Sequence, residues 1–584
     1  MTRLRAAGKW ALQLWAPLIM LALLPTLSNF LGNRFEVSVQ DVVFPLIIDV
    51  IMAAMVAGLF TWSWRRDRLG GYISAILAML ALGGDYNSRL VGGYQWVRNL
   101  TGLPALDGWV GVVVSLVVVI AILAASYGLG RLASKLVKRL KWPERDFAIA
   151  LSIAIVATFI FKAAPVGHDL VTEWPQFFYR PPQLTSPTAK TATDKPDIYY
   201  IVLDRYASQD VLKQQFGFDN SDFTNFLSAN GYYTNPSAHN NYPYTAMSIA
   251  STMTGNYLDD IVNKFSSSTQ QTTVPFNESI RNSPVASELK ALGYKYDLIG
   301  NWYETSNTSR VADNIYQPTG RLTVWGHDFI IDNFAKNTLT QSVIWRFLQS
   351  GVRLGSFTVF NYSNMGDVDM DKFALDQLRT EVAAKPGGRF IFAHILIPHD
   401  PYYFNADGSL SANTDSDNVG EPLKQKYIGQ VQYINSQIKG ILSKINATSQ
   451  GKSVVVLQSD EGPYPIQLND QDFDENDVEG ELKTGDMRKW SDINLQMKFG
   501  NLAAYHIPAA NLGQAADATT AADSVNVFRL ILNSYFGATF PYLPDCYYAY
   551  PNGRNQPEVF SDITARLTGQ PKDARCQANG SVKQ

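Results

Sequence analysis

Residues 198–204 read Ile-Tyr-Tyr-Ile-Val-Leu-Asp, and this stretch decides how the larger part of the chain folds. Six apolar or aromatic residues in a row, with no polar alternation, are typical of a strand that is buried on both faces of a sheet. The run ends at Asp204. Ligands of open α/β sheets bind beyond the carboxyl ends of the strands, so a residue at this place is a candidate for function.

Outward from this run, strand-like and helix-like segments follow one another. Four further nearly continuous apolar runs cover residues 294–299, 390–397, 454–458 and 502–506. Between two of these runs, residues 422–445 carry an apolar stripe at helical spacing. Alternation of this kind predicts an α/β domain with a mostly parallel central sheet.

The residues at which the runs end are unusually polar. Asp204 ends the first run, and Asp460 with Glu461 follows the fourth. His394 and His399 lie at the end of the third. Carboxylate oxygens and imidazole nitrogens are ligands for divalent cations, so the convergence of these strand ends predicts a metal site. The alternative for each carboxylate by itself is that it caps the following helix or turn.

A turn that leads into a helix of small residues adds a hydroxyl to this set. Residues 241–251 read Asn-Tyr-Pro-Tyr-Thr-Ala-Met-Ser-Ile-Ala-Ser, which puts Thr245 at the expected start of the helix. Backbone N–H groups and the helix dipole favour a phosphate at such a position, and a bound metal would activate the hydroxyl as a nucleophile. The alternative is that Thr245 only caps the helix. Asn301, which follows the second run, is a further candidate for the pocket wall.

The order of these motifs resembles the alkaline phosphatase/sulfatase superfamily. It comprises a strand that ends in Asp, a Thr-x-x-Ser helix, the pattern His-x4-His-x-Pro, and a strand that ends in Ser-Asp-x-Gly. Together with the apolar N-terminal region, the chain resembles the membrane-anchored branch of that superfamily. This branch contains lipoteichoic acid synthases and the phosphoethanolamine transferases that modify lipid A.

The resemblance implies a chemistry as well as a sulfatase-like sheet. Thr245 takes the position of a nucleophile that forms a phospho-threonine intermediate and also contacts a divalent metal ion, Mn, Mg or Zn. Asp204 and Asp460 take the positions of acidic metal ligands, and His394 and His399 match a pair that contacts the phosphate. The implied partners are a phospholipid donor of phosphoglycerol or phosphoethanolamine and an acceptor that is an envelope glycan or glycolipid.

One position departs from the family pattern. The superfamily branch usually has Ser-Asp-His-Gly, whereas residues 459–462 read Ser-Asp-Glu-Gly, so Glu461 stands where a metal-binding histidine is expected. A carboxylate ligates metals too, and it would shift the preference of the site from Zn²⁺ toward Mg²⁺ or Mn²⁺. The alternative is a degenerate site that binds no metal.

The first 166 residues are apolar and basic. Five apolar stretches lie at about residues 11–31, 42–63, 71–84, 108–130 and 147–166, and four of them approach the roughly 20 residues that span a bilayer. Clusters of Lys and Arg precede the first stretch and follow the second and the fourth. The positive-inside rule places all three clusters in the cytoplasm, so the short third stretch must also cross. We expect a bundle of five transmembrane helices with the N-terminus inside and the chain after about residue 166 outside.

Three regions are therefore predicted: a transmembrane domain at 1–166, a proline-rich linker at 167–196 and an external catalytic domain at 197–584. With the resemblance, this layout implies a multi-pass protein of the bacterial cytoplasmic (inner) membrane with its catalytic domain on the periplasmic or extracellular side. Asp49 lies inside the second predicted span. An ionisable residue at that depth is either functional or a polar contact between helices.

The external region contains both cysteines of the chain, Cys546 and Cys576. A disulfide persists outside the cytoplasm, and two cysteines with no neighbouring histidine are a poor zinc site. We therefore predict a structural disulfide between them, which would close a loop of roughly 30 residues.

Charge and membrane anchoring narrow the class of function. The net charge of −3 divides into +8 for residues 1–166 and −11 for residues 167–584, and such an acidic external part argues against nucleic-acid binding. A membrane tether favours a lipid donor, as in a phosphotransferase. A sulfatase- or phosphodiesterase-type hydrolase and a catalytically degenerate relative that supports envelope assembly stay open as alternatives.

Overall fold

The computed structural model of the protein describes residues 2–33, 37, 39–106, 108–172, 174–186, 188–189, 195–265, 273–318, 321–331, 333–363, 366–384, 386–412, 421–464, 487–510, 523–549, 560–571, 573 and 575–576. Two compact units divide the chain. One comprises Met1–Phe178 and Gly320–Asn364, and the other comprises Tyr179–Thr319 and Met365–Gln584. We call them the membrane unit and the α/β unit.

Helices and strands follow in chain order. The helices are α1 Thr2–Asn33, α2 Val39–Arg66, α3 Arg68–Leu82, α4 Tyr86–Thr101, α5 Gly108–Arg139, α6 Glu144–Thr172, α7 Trp174–Phe177, α8 Gln209–Gln214, α9 Ser221–Ala229, α10 Thr245–Thr254, α11 Asp259–Phe265, α12 Val274–Arg281, α13 Pro284–Ala291, α14 Asn333–Gln341, α15 Trp345–Ser350, α16 Asp367–Ala383, α17 Glu421–Ser449, α18 Asp492–Phe499, α19 Val527–Phe536 and α20 Thr564–Thr568. The strands are β1 Ile198–Leu203, β2 Tyr233–Thr234, β3 Lys295–Ile299, β4 Asn314–Tyr316, β5 Arg321–Val324, β6 His327–Ile330, β7 Val352–Leu354, β8 Phe357–Ser363, β9 Arg389–Ile395, β10 Val454–Gln458, β11 Ala503–His506, β12 Tyr548–Ala549 and β13 Ser561–Asp562.

The membrane unit has four to five apolar helices that are long enough to span a bilayer. Among the described residues, four single helices qualify, over Trp15–Asn33, Asp41–Phe60, Trp109–Arg139 and Glu144–His168. The predicted third span is α3, which continues into α4 after a bend of 72°, so the two form a fifth span only if they are taken together. The sequence did not suggest α4, because that helix mixes glycine, asparagine and arginine with its apolar residues.

Helices α3 and α5 pack closely because small residues face each other. A Cβ atom added at Gly130 would lie 2.2 Å from Ser74 Oγ and 2.5 Å from the carbonyl oxygen of Gly70. Small residues at such positions let two helix backbones approach within a bilayer. At one end of this contact, Asp67 caps α3 by accepting from the backbone N–H of Gly70 and also accepts from Ser134 Oγ at 2.7 Å.

Residues 320–364 belong to the membrane unit although they interrupt the predicted external domain. Strands β5 to β8 form an antiparallel sheet in the order β6-β5-β8-β7, and α14 packs against α2 while α15 packs against α5. The ring of Phe334 on α14 makes an edge contact with Phe30 on α1, with centroids 6.3 Å apart. The segment thus covers one end of the helices, which the sequence did not indicate because it has no long apolar run.

The α/β unit is built on a seven-stranded sheet in the order β2-β11-β10-β1-β9-β3-β4. Strands β10, β1, β9, β3 and β4 run parallel, whereas β11 is antiparallel to β10 and β2 is antiparallel to β11. The mostly parallel sheet confirms the predicted fold class, and the five predicted runs are strands within two residues of their expected bounds. The run at 502–506 is the antiparallel member.

Strand β1 is the centre of the sheet, and its register fixes where the site forms. Leu203 lies opposite Ile395 of β9, and Val202 lies opposite Gln458 of β10. All six residues of β1 are buried, which explains the unbroken apolar run. Parallel pairing therefore brings Asp204, the carboxyl end of β9 and the residues that follow β10 to one edge of the sheet. Outside the sheet, Cys546 and Cys576 form the predicted disulfide.

Candidate active site

Three of the predicted residues form a buried cluster at this edge. One ligand atom from each of Asp204, His394 and Asp460 lies within 4.8 Å of the other two. His394 Nε2 is 3.3 Å from Asp204 Oδ2 and 4.0 Å from Asp460 Oδ2. The His394 and Asp460 residues are fully buried, and Asp204 is 3% exposed. The backbone N–H of Asp204 donates to the carbonyl oxygen of Ile395, so the hydrogen-bond ladder between β1 and β9 continues to the edge of the cluster.

The cluster has the donor atoms of a metal site. Among the described residues, Asp204 Oδ1 and Asp460 Oδ2 are buried and have no hydrogen-bond partner. A buried carboxylate oxygen without a partner costs free energy, and a cation is the usual compensation. Two carboxylates with one imidazole suit a divalent ion, so the residues present fit the metal that the resemblance implies.

The two carboxyl groups have opposite pKa shifts. Burial raises the pKa of Asp460 to about 7, and the neighbouring negative charges of Asp204 and Glu461 act in the same direction. At Asp204, burial also acts to raise the pKa, but the charge of His399 and the hydrogen bond and charge of His394 outweigh it and lower the pKa to about 2. A cation between the two carboxylates would relieve the repulsion that raises the pKa of Asp460.

His394 is held in place from its other side. Its Nδ1 lies 2.7 Å from Ser306 Oγ, and Asn301 Nδ2 donates both to the carbonyl oxygen of His394 at 2.8 Å and to Ser306 Oγ at 3.2 Å. Asn301 therefore supports the position of the histidine, and its role in the pocket wall stays a prediction. The sequence gives no signal for Ser306, which lies in a short 3₁₀ turn at Glu304–Ser306.

Thr245 is the first residue of α10, as the sequence predicts. Its hydroxyl lies close enough to the carboxyl group of Asp460 to lower the pKa of that group. Helix α10 has ten residues and is buried along its whole length, so the start of the helix is rigid. The backbone N–H groups of the first turn and the helix dipole give this position a positive potential.

Glu461 makes contacts that the sequence did not predict. Its Oε1 lies 2.8 Å from Lys498 Nζ and 3.0 Å from Arg205 Nε. Both Glu461 and Lys498 are almost fully buried, with side chains 3% and 0% exposed. The other oxygen, Oε2, is buried without a hydrogen-bond partner among the residues that the structure describes. One oxygen of Glu461 is thus engaged by two cations, and a role for the other as a metal ligand stays a prediction.

Arg205 connects several parts of the site. Its backbone N–H donates to Asp460 Oδ1 at 3.2 Å, and its Nη1 lies 2.8 Å from Asp400 Oδ1. Its φ angle is 57°, a left-handed conformation that is uncommon outside glycine and is often found at functional sites. The hydroxyl of Tyr427 supports this bend by donating to the carbonyl oxygen of Arg205 and accepting from the N–H of Ala207.

His399 lies beside the cluster rather than in it. Its Nδ1 is close to the backbone oxygen of Asp400 and 3.2 Å from Asp400 Oδ1, and its side chain is 20% exposed. The charge of His399 contributes to the low pKa of Asp204. Of the two histidines predicted to contact a phosphate, His399 is therefore the one that is partly exposed to solvent.

Gly462 is the glycine at the end of the Ser-Asp-x-Gly pattern, and its close contacts explain why glycine stands there. Its backbone N–H donates to the carbonyl oxygen of Lys498, and a Cβ atom at this position would lie 2.0 Å from the carbonyl oxygen of Met497. Only glycine lets the chain after Glu461 pass this close to the end of α18. The same close approach brings Lys498 to Glu461.

Fold and site together define a membrane-anchored α/β protein with a buried carboxylate–imidazole centre beside a threonine at a helix N-terminus. The sulfatase family model matches residues 196–505, which is more than half of the chain. The protein therefore belongs to the sulfatase family of the alkaline phosphatase/sulfatase superfamily, which confirms the resemblance that the motifs indicated. A search of curated protein sequences found no match.

Several solved structures are similar to this chain at low identity. The periplasmic domain of EcEptC from Escherichia coli, in complex with Zn, is 10% identical over 68% of this chain and 99% of that chain, with a TM-score of 0.41. The periplasmic domain of the phosphoethanolamine transferase EptC from Campylobacter jejuni is 11% identical over 62% and 96%, with a TM-score of 0.36. A putative sulfatase from Bacteroides thetaiotaomicron is 10% identical over 64% and 84%, with a TM-score of 0.36. These similarities assign no activity to this chain.

Proposed function

We propose that the protein is a membrane-anchored, metal-dependent phosphotransferase with Thr245 as its nucleophile. The observation that carries this proposal is the position of the Thr245 hydroxyl at the start of α10, next to Asp460 of the buried cluster. A hydrolytic metal site needs only a water molecule, whereas a protein hydroxyl at this place suits covalent transfer of a phosphoryl group. The donor is a phospholipid and the acceptor is an envelope glycan or glycolipid.

Asp204, His394 and Asp460 are the residues that would hold a divalent metal ion, with the free oxygen of Glu461 as a further candidate. When bound, such an ion supplies Lewis-acid stabilisation of phosphate oxygens and lowers the pKa of a coordinated hydroxyl. The Glu461 carboxylate would repel a phosphate if it stood alone. Lys498 and Arg205 offset that negative charge, so the Glu461 carboxylate does not keep a phosphodiester out of the site.

The proposed transfer has two halves. The Thr245 oxygen forms a bond to phosphorus and gives its proton to a base of the site. The bond between phosphorus and the diacylglycerol oxygen breaks, and the leaving oxygen takes up a proton from an acid of the site. His399 is the candidate donor of that proton because its charge acts on Asp204 and its side chain is partly exposed. In the second half, an acceptor hydroxyl displaces Thr245 and restores its proton.

The layout of the chain supports a lipid donor. We propose that residues 1–166 anchor the enzyme in the bacterial cytoplasmic membrane, that residues 167–196 connect the two parts, and that the region from 197 acts on the periplasmic or extracellular side. The basic clusters at the ends of the apolar stretches are the basis for this orientation. The segment 320–364 is an excursion of that region onto the membrane helices.

Thr245→Ala tests the covalent step. We expect the full-length protein in detergent micelles, mixed with phosphatidylglycerol or phosphatidylethanolamine, to gain the mass of one head-group phosphate on the Thr245 peptide, as seen by mass spectrometry. Thr245→Ala should lose the adduct and at least about a thousandfold of the turnover, because it removes the nucleophile. Thr254→Ala, at the other end of α10, is the matched control and should retain both. Equal product from the wild type and Thr245→Ala would overturn the proposal, and release of the head group to water without transfer would favour the hydrolase.

Metal content separates a working site from a degenerate one. We expect about one equivalent of Mn, Mg or Zn in the full-length protein by elemental mass spectrometry, after titrating metals back to offset losses in purification. Asp460→Asn should abolish this binding, since it removes one of two charged ligands. A protein that binds none of the three metals would be a degenerate relative.

A further inference from the structure

The antiparallel sheet of β5 to β8 exposes four large apolar side chains that the proposed reaction does not use. Their exposed fractions are 58% for Trp325, 50% for Phe329, 66% for Leu354 and 45% for Phe357. Among the side chains that the structure describes after residue 178, only Leu410 and Ile493 are further exposed residues of this kind. Exposed apolar residues that are grouped in one element usually mark a surface that binds a partner or a membrane.

Three of these side chains meet at one end of the sheet. Strand β5 turns into β6 at residues 325–326, and β7 turns into β8 at residues 355–356. A backbone hydrogen bond from Trp325 to β8 places the first turn beside the second. The rings of Trp325 and Phe357 are 6.2 Å apart, and Leu354 pairs with Phe357 across the second turn. We call Trp325, Leu354 and Phe357 the hairpin patch.

The turn that carries Trp325 is not explained by local preference. Trp325 has a φ angle of 50° and Gly326 one of 74°. Two-residue hairpin turns with positive φ at both positions favour Asn-Gly or Asp-Gly, because a bulky residue is strained in the left-handed region. Since the tryptophan is also more than half exposed, packing inside the chain does not account for it. Its ring is available to a partner outside the chain.

The packing of the sheet on α2 sets its level in the bilayer. Leu322 of β5 and Tyr362 of β8 belong to an apolar cluster against which Phe44 and Ile48 of α2 pack. Phe44 and Ile48 lie in the first eight residues of the candidate span Asp41–Phe60. At 1.5 Å per residue, the cluster reaches about 10 Å into that span. An open sheet edge does not occur in the hydrocarbon core, so the sheet lies in the head-group layer above it.

The sheet adjoins a surface that faces lipid. Val43, Ile47 and Ile51 of α2 are each 52% exposed, and they lie in the same span as the residues that pack on the sheet. Beside the patch, the exposed Arg353 directly precedes Leu354. Tryptophan and arginine are typical of the boundary between lipid and water, where the ring contacts acyl chains and the guanidinium reaches phosphates.

We propose that the hairpin patch inserts into the bilayer leaflet at the Asp41 end of α2, as far as the boundary between head groups and acyl chains. Residues 320–364 then form a second contact of the chain with the bilayer, one that does not span it. The alternative occupant is a second copy of this chain. Half-exposed side chains of this size offer no more than about 500 Å² together, whereas a stable interface takes about 800 Å² from each partner. The inference does not depend on the chemistry of Thr245.

Spin labels measure the depth of the patch. Because Cys546 and Cys576 form a disulfide, a cysteine introduced elsewhere is the one that reacts. Trp325→Cys and Leu354→Cys are made separately in the full-length protein, labelled, and reconstituted into liposomes of phosphatidylethanolamine and phosphatidylglycerol. Power-saturation electron paramagnetic resonance compares the accessibility of each label to oxygen, which concentrates in the bilayer, and to a water-soluble nickel chelate. We expect the oxygen-to-nickel ratio at both positions to be at least about threefold higher than at Ile493→Cys, an exposed control on α18.

A charged variant tests whether insertion depends on the apolar surface. Phe357→Asp, added to Leu354→Cys, should lower the ratio at least about twofold, because a carboxylate opposes insertion. Ile493→Asp, the matched control, should leave the ratio unchanged. A ratio at 325 and 354 no higher than at 493, or one that Phe357→Asp does not lower, would overturn the inference. Spin–spin broadening that disappears on dilution with unlabelled protein would also overturn it and assign the patch to a second copy. Because neither turnover nor metal is measured, the phosphotransferase proposal stands or falls separately.

Discussion

At the scale of single residues, Glu461 is the most informative position of the site. The family pattern usually has histidine there, whereas in this chain the carboxylate contacts a buried lysine and an arginine. Its two counter-charges come from α18 and from the residue after Asp204. The loss in free energy of unfolding on removing one partner tests this buried ion pair directly.

Lys498→Met should destabilise the protein by about 3 kcal/mol, because it leaves Glu461 buried with only Arg205 as a counter-charge. The measurement is chemical unfolding of the full-length protein in micelles, followed by tryptophan fluorescence. The double variant Glu461→Gln/Lys498→Met should recover at least half of the loss, since it removes both buried charges. A single variant as stable as the wild type would contradict the ion pair.

His239 predicts a pH dependence of stability. Its ring packs against Tyr547 with centroids 5.6 Å apart, and burial lowers its pKa from 6.5 to about 4. The unfolded chain therefore takes up this proton first as the pH falls. The contribution of neutral His239 to the free energy of unfolding is fully present above pH 6.5. It is lost as the pH falls from 6.5 to 4, and the loss amounts to no more than about 3 kcal/mol. Melting curves at several pH values should show that His239→Asn lacks this part of the acid destabilisation.

Residues at strand ends could be found from the sequence, whereas their supporting residues could not. Asp204, His394 and Asp460 lie at or near the carboxyl ends of apolar runs, so the parallel sheet alone predicts that they meet. Ser306 and Lys498 lie in a short turn and at the end of a helix, where no local pattern distinguishes them from ordinary polar residues. Their contacts arise only from the tertiary fold, which joins segments more than 30 residues apart.

At the scale of elements, α3 can pack closely on α5 because Gly130 has no side chain. Gly130→Ala should destabilise the membrane unit by about 1–3 kcal/mol, because its Cβ atom would overlap Ser74 and the backbone of Gly70. Gly128→Ala is a matched control on the same helix, since no atom lies within 4 Å of the Cβ position there. Thermal unfolding in micelles measures both, and equal melting temperatures would contradict the close contact.

Buried strands were easier to predict than the elements of the membrane unit. Unbroken apolar runs identified β1, β3, β9, β10 and β11 because each is buried along most of its length. Helix α4 and the sheet of β5 to β8 carry mixed polar and apolar residues. Their position depends on contacts with helices that are distant in sequence, and periodicity does not report such contacts.

At the scale of the whole molecule, the disulfide reports both stability and location. Replacing Cys546 and Cys576 with serine should cost about 3–4 kcal/mol, since the bond closes a loop of 30 residues in the unfolded chain. In intact cells, a thiol reagent should label neither cysteine until a reductant is added. Labelling of both without reductant would place this region in a reducing compartment and contradict the proposed topology.

The strand order of the central sheet also determines how the protein is made. Strand β1 is complete at Leu203, but its neighbours β9 and β10 begin only at Arg389 and Val454. At ribosomal rates of about 5–20 residues per second, the fully buried strand β1 waits on the order of 10–50 seconds for its partners. During that interval the nascent chain displays an unpaired, aggregation-prone strand edge. If the α/β unit is exported as proposed above, its biogenesis should depend on holding chaperones at the translocation exit.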